Sequence, residues 1–326
     1  MSCKKGSRLW VEFIGMMLCG ILFFPQNVGA GPASNKAEAE AWSFLPWDDY
    51  AGRIEGIEAD SEGPKAFAVK SDGGVFVLDQ VNSRVIELNS TGLFLRTLEL
   101  PGRTFDDIEQ YEGWALLALD RLVEKSLLVM DVNGVYLAEI DLKGRGIEHA
   151  GSITALLPRS DGVWLEVKHR YSVKVLDRDL QPCERQILLG RPAEGGKSLH
   201  GALNGRGGAE IWKDLRNARS ASVREVFYGS IPIRRIVWLE EGRDELVYVM
   251  FHEALFSPVE PYGVEEEFYR IMVLDGDLYE LYEFESPWVL TVYDQRVEFR
   301  VGPSGRIWQM AFTPEGVLFL RWNWRR

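Results

Sequence analysis

Cysteine is nearly absent. The chain has three in 326 residues, and two of them, Cys3 and Cys19, fall within an N-terminal segment that reads as removable. Cys183 is then left alone, so no internal disulfide forms; an oxidising compartment is permitted, but the fold does not rely on it. Cys183 follows Pro182 at the start of an expected outer strand, where the positive charge that stabilises a thiolate is scarce, so it reads as inert. Catalytic signatures are missing too. There is no Gly-x-Ser-x-Gly elbow, no phosphate-cradling Gly-Lys-Ser/Thr loop, no His-Glu-x-x-His and no cysteine pair. Positive charge is in deficit, with 37 Lys and Arg against 49 Asp and Glu, a net charge of −12. Long helix-period segments are lacking as well. The nearest is Asn217 to Phe227, whose Val223, Val226 and Phe227 fit a strand nearly as well.

What is present begins with targeting. Lys4, Lys5 and Arg8 precede an apolar run from Phe13 to Phe24, then Pro25 and the small-residue site Val28-Gly29-Ala30. That order predicts a signal peptide over residues 1–30, cleaved after Ala30, and a secreted or periplasmic protein with no membrane span after cleavage. A retained anchor is the alternative, since Trp10 and Val11 lengthen the run despite Glu12. Cys19 is a poor lipidation site, because Met16-Met17-Leu18 precede it where small residues are wanted. Cleavage removes three basic residues and one acidic one, leaving 34 − 48 = −14. A charge of that sign repels nucleic acid and anionic membrane surfaces. Residues 31–62 form an N-terminal arm, partly disordered, whose Trp42, Phe44, Trp47 and Tyr50 are expected to pack on the domain that follows. Asn89-Ser90-Thr91 is a glycosylation sequon, which matters only in a eukaryotic secretory pathway.

The remaining chain, 63–326, has a strand rhythm. Between Gly63 and Gly92, Phe67 and Val69, Val75 to Leu78 and Val85 to Leu88 are short alternating apolar runs, each ended by Gly, Asn or Asp. This is an antiparallel meander, with Asp72-Gly73-Gly74 supplying a tight hairpin. Pro64, Asp72, Gly73, Asp79, Asn82 and Arg84 stand at the marker positions of an NHL-type blade, which this one unit resembles. The resemblance implies a β-propeller. Second strands of successive blades are then expected at Val75–Asp79, Trp114–Asp120, Val163–Lys168, Ala209–Asp214, Leu246–Phe251 and Arg306–Phe312, with starts about 35 to 60 residues apart. The fold class predicted is all-β, a six-bladed propeller of four-stranded antiparallel sheets; five blades follow if Leu199–Tyr228 is not a full unit. The last unit has room for only three strands, so a segment around Arg53–Ile57 is expected to close the ring.

Placed on that topology, His149, His169, His200 and His252 should all emerge on one face, where zinc could be held, although no pair has a short zinc spacing. Asp79, Asn82, Asp106, Asp107, Glu265 and Glu266 are expected on the same face, as a solvated rim, a partner contact or oxygen ligands for calcium. No cofactor is predicted beyond these two ions. The stretch His252–Glu267 is longer than a blade loop requires and carries Leu255, Phe256 and Tyr262 among Pro258 and Pro261, which marks it as a flap for a partner or ligand. Phe76, Trp164, Trp212, Tyr248 and Trp308 recur at one point of the repeat and are assigned to packing between blades. The function expected is a non-enzymatic scaffold binding an extracellular or periplasmic protein, peptide or glycan. The alternative is a metal-assisted lyase or lactonase, similar to propeller enzymes that hold a metal centre in the channel mouth.

Overall fold

A computed structural model describes residues 38–54, 61–102, 104–215, 223–260, 262–286 and 295–324. They lie in a unit spanning residues 36–326. The first described strand, β1 (Glu38–Pro46), is the outer strand of the last blade in the ring. Blade one comprises β2 (Ala66–Val69), β3 (Val75–Asp79), β4 (Arg84–Leu88) and β5 (Phe94–Glu99). Blade two comprises β6 (Asp107–Tyr111), β7 (Ala115–Asp120), β8 (Ser126–Asp131) and β9 (Tyr136–Asp141), and blade three β10 (Ile153–Arg159), β11 (Gly162–Val167), β12 (Tyr171–Asp177) and β13 (Pro182–Leu189). Blade four holds β14 (Arg191–Pro192), β15 (Lys197–Leu203), β16 (Gly208–Leu215) and β17 (Val223–Tyr228). Blade five holds β18 (Ile233–Glu241), β19 (Val247–Phe256), β20 (Val264–Leu274) and β21 (Glu280–Ser286). Blade six takes β22 (Phe299–Val301), β23 (Ile307–Thr313) and β24 (Gly316–Asn323), with β1 as its outer strand. The chain is a six-bladed β-propeller.

Blades one, two, five and six are apolar on both faces, each sharing one buried cluster with either neighbour, whereas blades three and four each share one such cluster, with blades two and five respectively. In β3, Val75 and Val77 pack toward blade six with Trp308 and Phe319, while Phe76 and Leu78 pack toward blade two with Ile108 and Leu116. Period-two alternation therefore sorts side chains between two cores instead of between core and water. Phe76, Trp164, Tyr248 and Trp308 are buried as expected. Trp212 departs from that set: it lies on the third strand of its blade, half-buried, with its ring stacked on His200.

Two placements differ from expectation. The closing strand is Glu38–Pro46, not Arg53–Ile57; residues 55–57 lie outside the described residues, and Ile54 forms only an isolated bridge with Glu62. A bulge at Trp42 breaks the alternation of β1, which hides a strand inside what reads as an aromatic arm. In blade four, Ala209–Asp214 belongs to the third strand, since the two-residue β14 is too short to read and the second strand, β15, carries turn-like Gly201 and Ala202. Gly201 is there for space: a Cβ would come 2.9 Å from Ile236 Cδ1 of the adjoining blade.

Candidate functional site

The axis of the ring is crossed by buried arginines. Arg300 of β22 donates to Phe67 O of blade one (3.2 Å), to Asp107 Oδ1 of blade two (2.7 Å), and pairs with Glu109 at 2.9 Å. Arg296 reaches Asp107 at 3.5 Å and Ile153 O of blade three at 3.2 Å, and Asp107 Oδ2 also accepts from Leu156 N. Four blades are thereby tied through two guanidinium groups. On the other side of the ring, Arg191 of β14 grips Glu166 of blade three with two bonds, 2.6 and 2.9 Å, and donates to Leu239 O of blade five. Burial would raise the Glu166 carboxyl, but Arg191, His169 and Thr154 together hold it well below the usual range. Glu109 behaves oppositely. Its burial, reinforced by Glu240 and Asp107 and only partly offset by Arg300, pushes it up to about 8. Asp106 is also raised, chiefly by burial, and its Oδ1 has no hydrogen-bond partner among the described residues. Asp106 and Asp107 are thus interior groups of an ionic strap and not members of a solvated rim.

Asp79 is likewise interior. Fully buried, it accepts from Arg84 Nε (2.8 Å), Asn82 Nδ2 (2.9 Å) and Gly52 N (3.2 Å), while Arg84 donates to Tyr50 O. The Asp-x-x-Asn-x-Arg pattern anchors the turn after β1 on blade one. Its fit is close enough that a Cβ on Gly52 would lie 2.4 Å from the Asn82 amide. Contact with a partner through Asp79 is excluded by its burial.

The four imidazoles are not gathered. His149 is exposed on the link into blade three. His169 is 3.1 Å from Glu166, His200 is 3.3 Å from Asp214, and His252 bonds to Glu267 while stacking on Tyr269. Each of these three is occupied by a carboxylate of its own blade. Among the described residues no group of three His, Cys, Asp or Glu side chains is arranged to hold a metal ion. Ser198, His200 and Asp214 have the composition of a nucleophilic triad, which the sequence spacing did not bring out. The serine (2.9 Å) and the aspartate both meet Nε2, however, so the ring cannot pass a proton from one to the other. Burial also lowers the His200 pKa, and Cys183 is pushed up by burial. An open cleft of about 470 Å³ between the blade-two link and β13 is floored by Ile147, Tyr171, Ile187 and Leu189, but only Glu148 and Arg185 supply charge, and they do not converge on a reacting position.

Blade five supplies the feature that differs in kind. His252–Glu267 is not a loose loop: β19 and β20 continue pairing through Leu255↔Glu266 and Phe256↔Val264, so β19 ends at Phe256 and β20 begins at Val264. Among the described residues the sheet pairing of β18 ends at Glu253 and that of β21 begins at Tyr269, so the hairpin extends beyond the described strands on either side of it. Its projecting part exposes Leu255, Phe256, Val259, Tyr262 and Val264, with Glu260, Glu265 and Glu266 beside them. Arg234 supports the base, its guanidinium lying 5.3 Å from the Phe256 ring centroid and donating to Ala254 O. Five large apolar side chains exposed along one hairpin and its tip are a surface disposed for contact. Among the described residues no helix is long and apolar enough to cross a membrane.

No protein-family model and no curated protein matches the sequence. Solved structures to which the chain is similar include hydrazine synthase from Kuenenia stuttgartiensis, at 12% identity over 79% of this chain and 76% of that one, TM-score 0.48. Streptogramin B lyase is similar at 12% identity over 87% and 100%, TM-score 0.44. BamB from Moraxella catarrhalis is similar at 9% identity over 88% and 99%, TM-score 0.39. Likeness at this level does not carry function from those proteins to this one.

Proposed function

We propose that this propeller, NHL-like in its first blade, is an extracytoplasmic, non-enzymatic binding scaffold that engages a protein, peptide or glycan through the blade-five hairpin. The observation that carries the proposal is the projecting hairpin with its exposed aromatic and aliphatic tip. The rest of the molecule supports a scaffold: the buried carboxylates Asp107 and Glu166 are taken up by arginines of other blades, and the histidines are dispersed. The basic, apolar and small-residue order of residues 1–30 supports export.

The test is site-specific photo-crosslinking from the exposed position 266 in cells of the source organism, beside a variant that keeps position 266 but has residues 257–263 replaced by an Asn-Gly turn. A discrete extracytoplasmic adduct that disappears in the shortened variant is expected. If the shortened variant retains every captured partner, the hairpin is not the contact and the proposal fails. N-terminal sequencing of the same protein should begin after Ala30.

A further inference from the structure

We propose that the partner of the blade-five hairpin is a polypeptide segment in which apolar side chains stand beside lysine or arginine. This rests on the hairpin being the contact, and adds what the contact recognises. From Ala254 to Phe268 the chain has four glutamates and no lysine, arginine or histidine. Glu267 is taken by His252 at the base. Glu260, Glu265 and Glu266 are exposed, and none of them makes a hydrogen bond or an ion pair among the described residues. Two arginines stand at the base on β18. Arg234 lies against Phe256 and donates to Ala254 O, and Arg235 is opposite His252 in the register. Beyond them the hairpin itself carries charge of one sign.

The register interleaves carboxylates with apolar side chains. Leu255 stands opposite Glu266 and Phe256 opposite Val264, and the irregularity between these pairs leaves Glu265 without an opposite residue. Opposite residues of an antiparallel pair share one face, with Cβ atoms about 5 Å apart. A lysine or arginine side chain spans that distance: its methylene stem lies on Leu255 while its charged end meets Glu266. In the turn, Glu260 falls in sequence between Val259 and Tyr262, which are 69% and 63% exposed.

Charge decides among the occupants. A purely apolar partner would strip water from three carboxylates with nothing to offset the loss. An anionic membrane surface, or a second copy of the same hairpin, would bring like charge against like. A cationic partner meets neither obstacle, and the net charge of −12 favours its approach from a distance.

Fluorescence anisotropy of the full chain with two short peptides of the same apolar sequence, one interspersed with lysine and the other with glutamate, tests this. The lysine peptide is expected to bind and the glutamate peptide is not. Glu260→Gln with Glu265→Gln and Glu266→Gln should weaken the lysine peptide about 10-fold or more, since each carboxylate loses a charged partner. Glu99→Gln with Glu139→Gln and Glu184→Gln removes the same charge from exposed positions of other blades and should leave the affinity within about 2-fold. All six positions are exposed, so neither variant should alter thermal unfolding. Equal binding of the two peptides, binding of neither, no loss in the hairpin variant, or equal losses in the two triple variants overturns the proposal. The hairpin as contact and the cationic partner fail separately. A crosslinked adduct from position 266 that is absent from the shortened variant, yet persists in Glu260→Gln with Glu265→Gln at high salt, keeps the contact and overturns only the cationic partner.

Discussion

Four blades turn from third to fourth strand on one device. Asn89, Asp131, Asp177 and Asp275 each accept, through Oδ1, the backbone N–H groups two and four residues on. The residue three positions after each has positive φ: Gly92, Gly134, Leu180 and Leu278. The glycine forms are legible in the sequence as turns, and they account for the Asn89 sequon as turn chemistry. The leucine forms are not legible, because burial overrides backbone preference there. Leu278 is fully buried at φ +68°. Asp131→Ala should lower the denaturant midpoint of unfolding, because Asn133 N and Val135 N lose their acceptor. Leu278→Gly should lower stability by about 1–3 kcal/mol, because the packing lost in the core exceeds the backbone strain relieved. An unchanged or raised stability for Leu278→Gly would show that strain is the larger of the two. The interior carboxylates make a prediction of the opposite kind. Glu109 has its folded pKa raised to about 8 from an ordinary 4.5, so between those values the folded chain holds a proton that the unfolded chain has lost. Its contribution to stability is greatest below about 4.5 and falls as pH rises toward about 8. Glu109→Gln should therefore gain in melting temperature relative to the unsubstituted protein as pH goes from about 5 to about 8.5. A constant difference across that range would mean that Glu109 is ionised throughout, as the partner of Arg300.

At the scale of the element, what was legible is the period-two run bounded by turn residues. Val75–Asp79 is read to the residue, because β-branched and aromatic side chains fill both faces and Asp72 caps the preceding turn through Gly74 N. Where an element depends on a neighbour, legibility fails. β14 is held by Arg191 reaching two other blades, and nothing local marks it. Asp106 and Asp107 read as a rim because a pair of aspartates ordinarily seeks water; in the fold Arg121 pairs with Asp106, and Arg296 and Arg300, almost two hundred residues away, close over Asp107. The histidines were placed on one face by strand counting, but the count slipped in blade four, and His200 and His252 stand within second strands and not at their ends. In blade five the length of the excursion, Phe256 and Tyr262 were all visible; the pairing that continues to Phe256↔Val264 was not. Phe256→Ser with Tyr262→Ser should therefore leave thermal stability within about 0.5 kcal/mol, because the tip packs on little of the domain. The crosslinked adduct of the hairpin should be lost in that variant. A large fall in stability would instead make the tip a cover for the neighbouring blades.

At the scale of the molecule, a ring of sheets is only as closed as its last blade. β1 pairs with β24 from Glu38↔Asn323 to Pro46↔Gly316, joining the two ends of the described chain in one sheet. The join has its own packing: Trp42 stands edge-on to Trp308 at 4.6 Å, and Arg321 lies 6.0 and 5.7 Å from the two ring centroids while bonding to Glu40. Asp79, Arg84 and Gly52 then fasten the turn that follows β1 to blade one, so the same segment bonds on both sides of the seam. Contacts between sequence-distant ends are formed late and released early in a chain that opens locally, since loop closure must precede them. A chain beginning at Trp47 should accordingly keep blades two to four near their native protection while β23 and β24 exchange amide hydrogens rapidly. Hydrogen exchange followed strand by strand reads this directly. Protection of β24 that survives the truncation would show that the ring holds itself shut through the axial arginines alone. In that case Arg300→Met, which cuts the strap joining blade six to blades one and two, should open the seam where removing β1 does not.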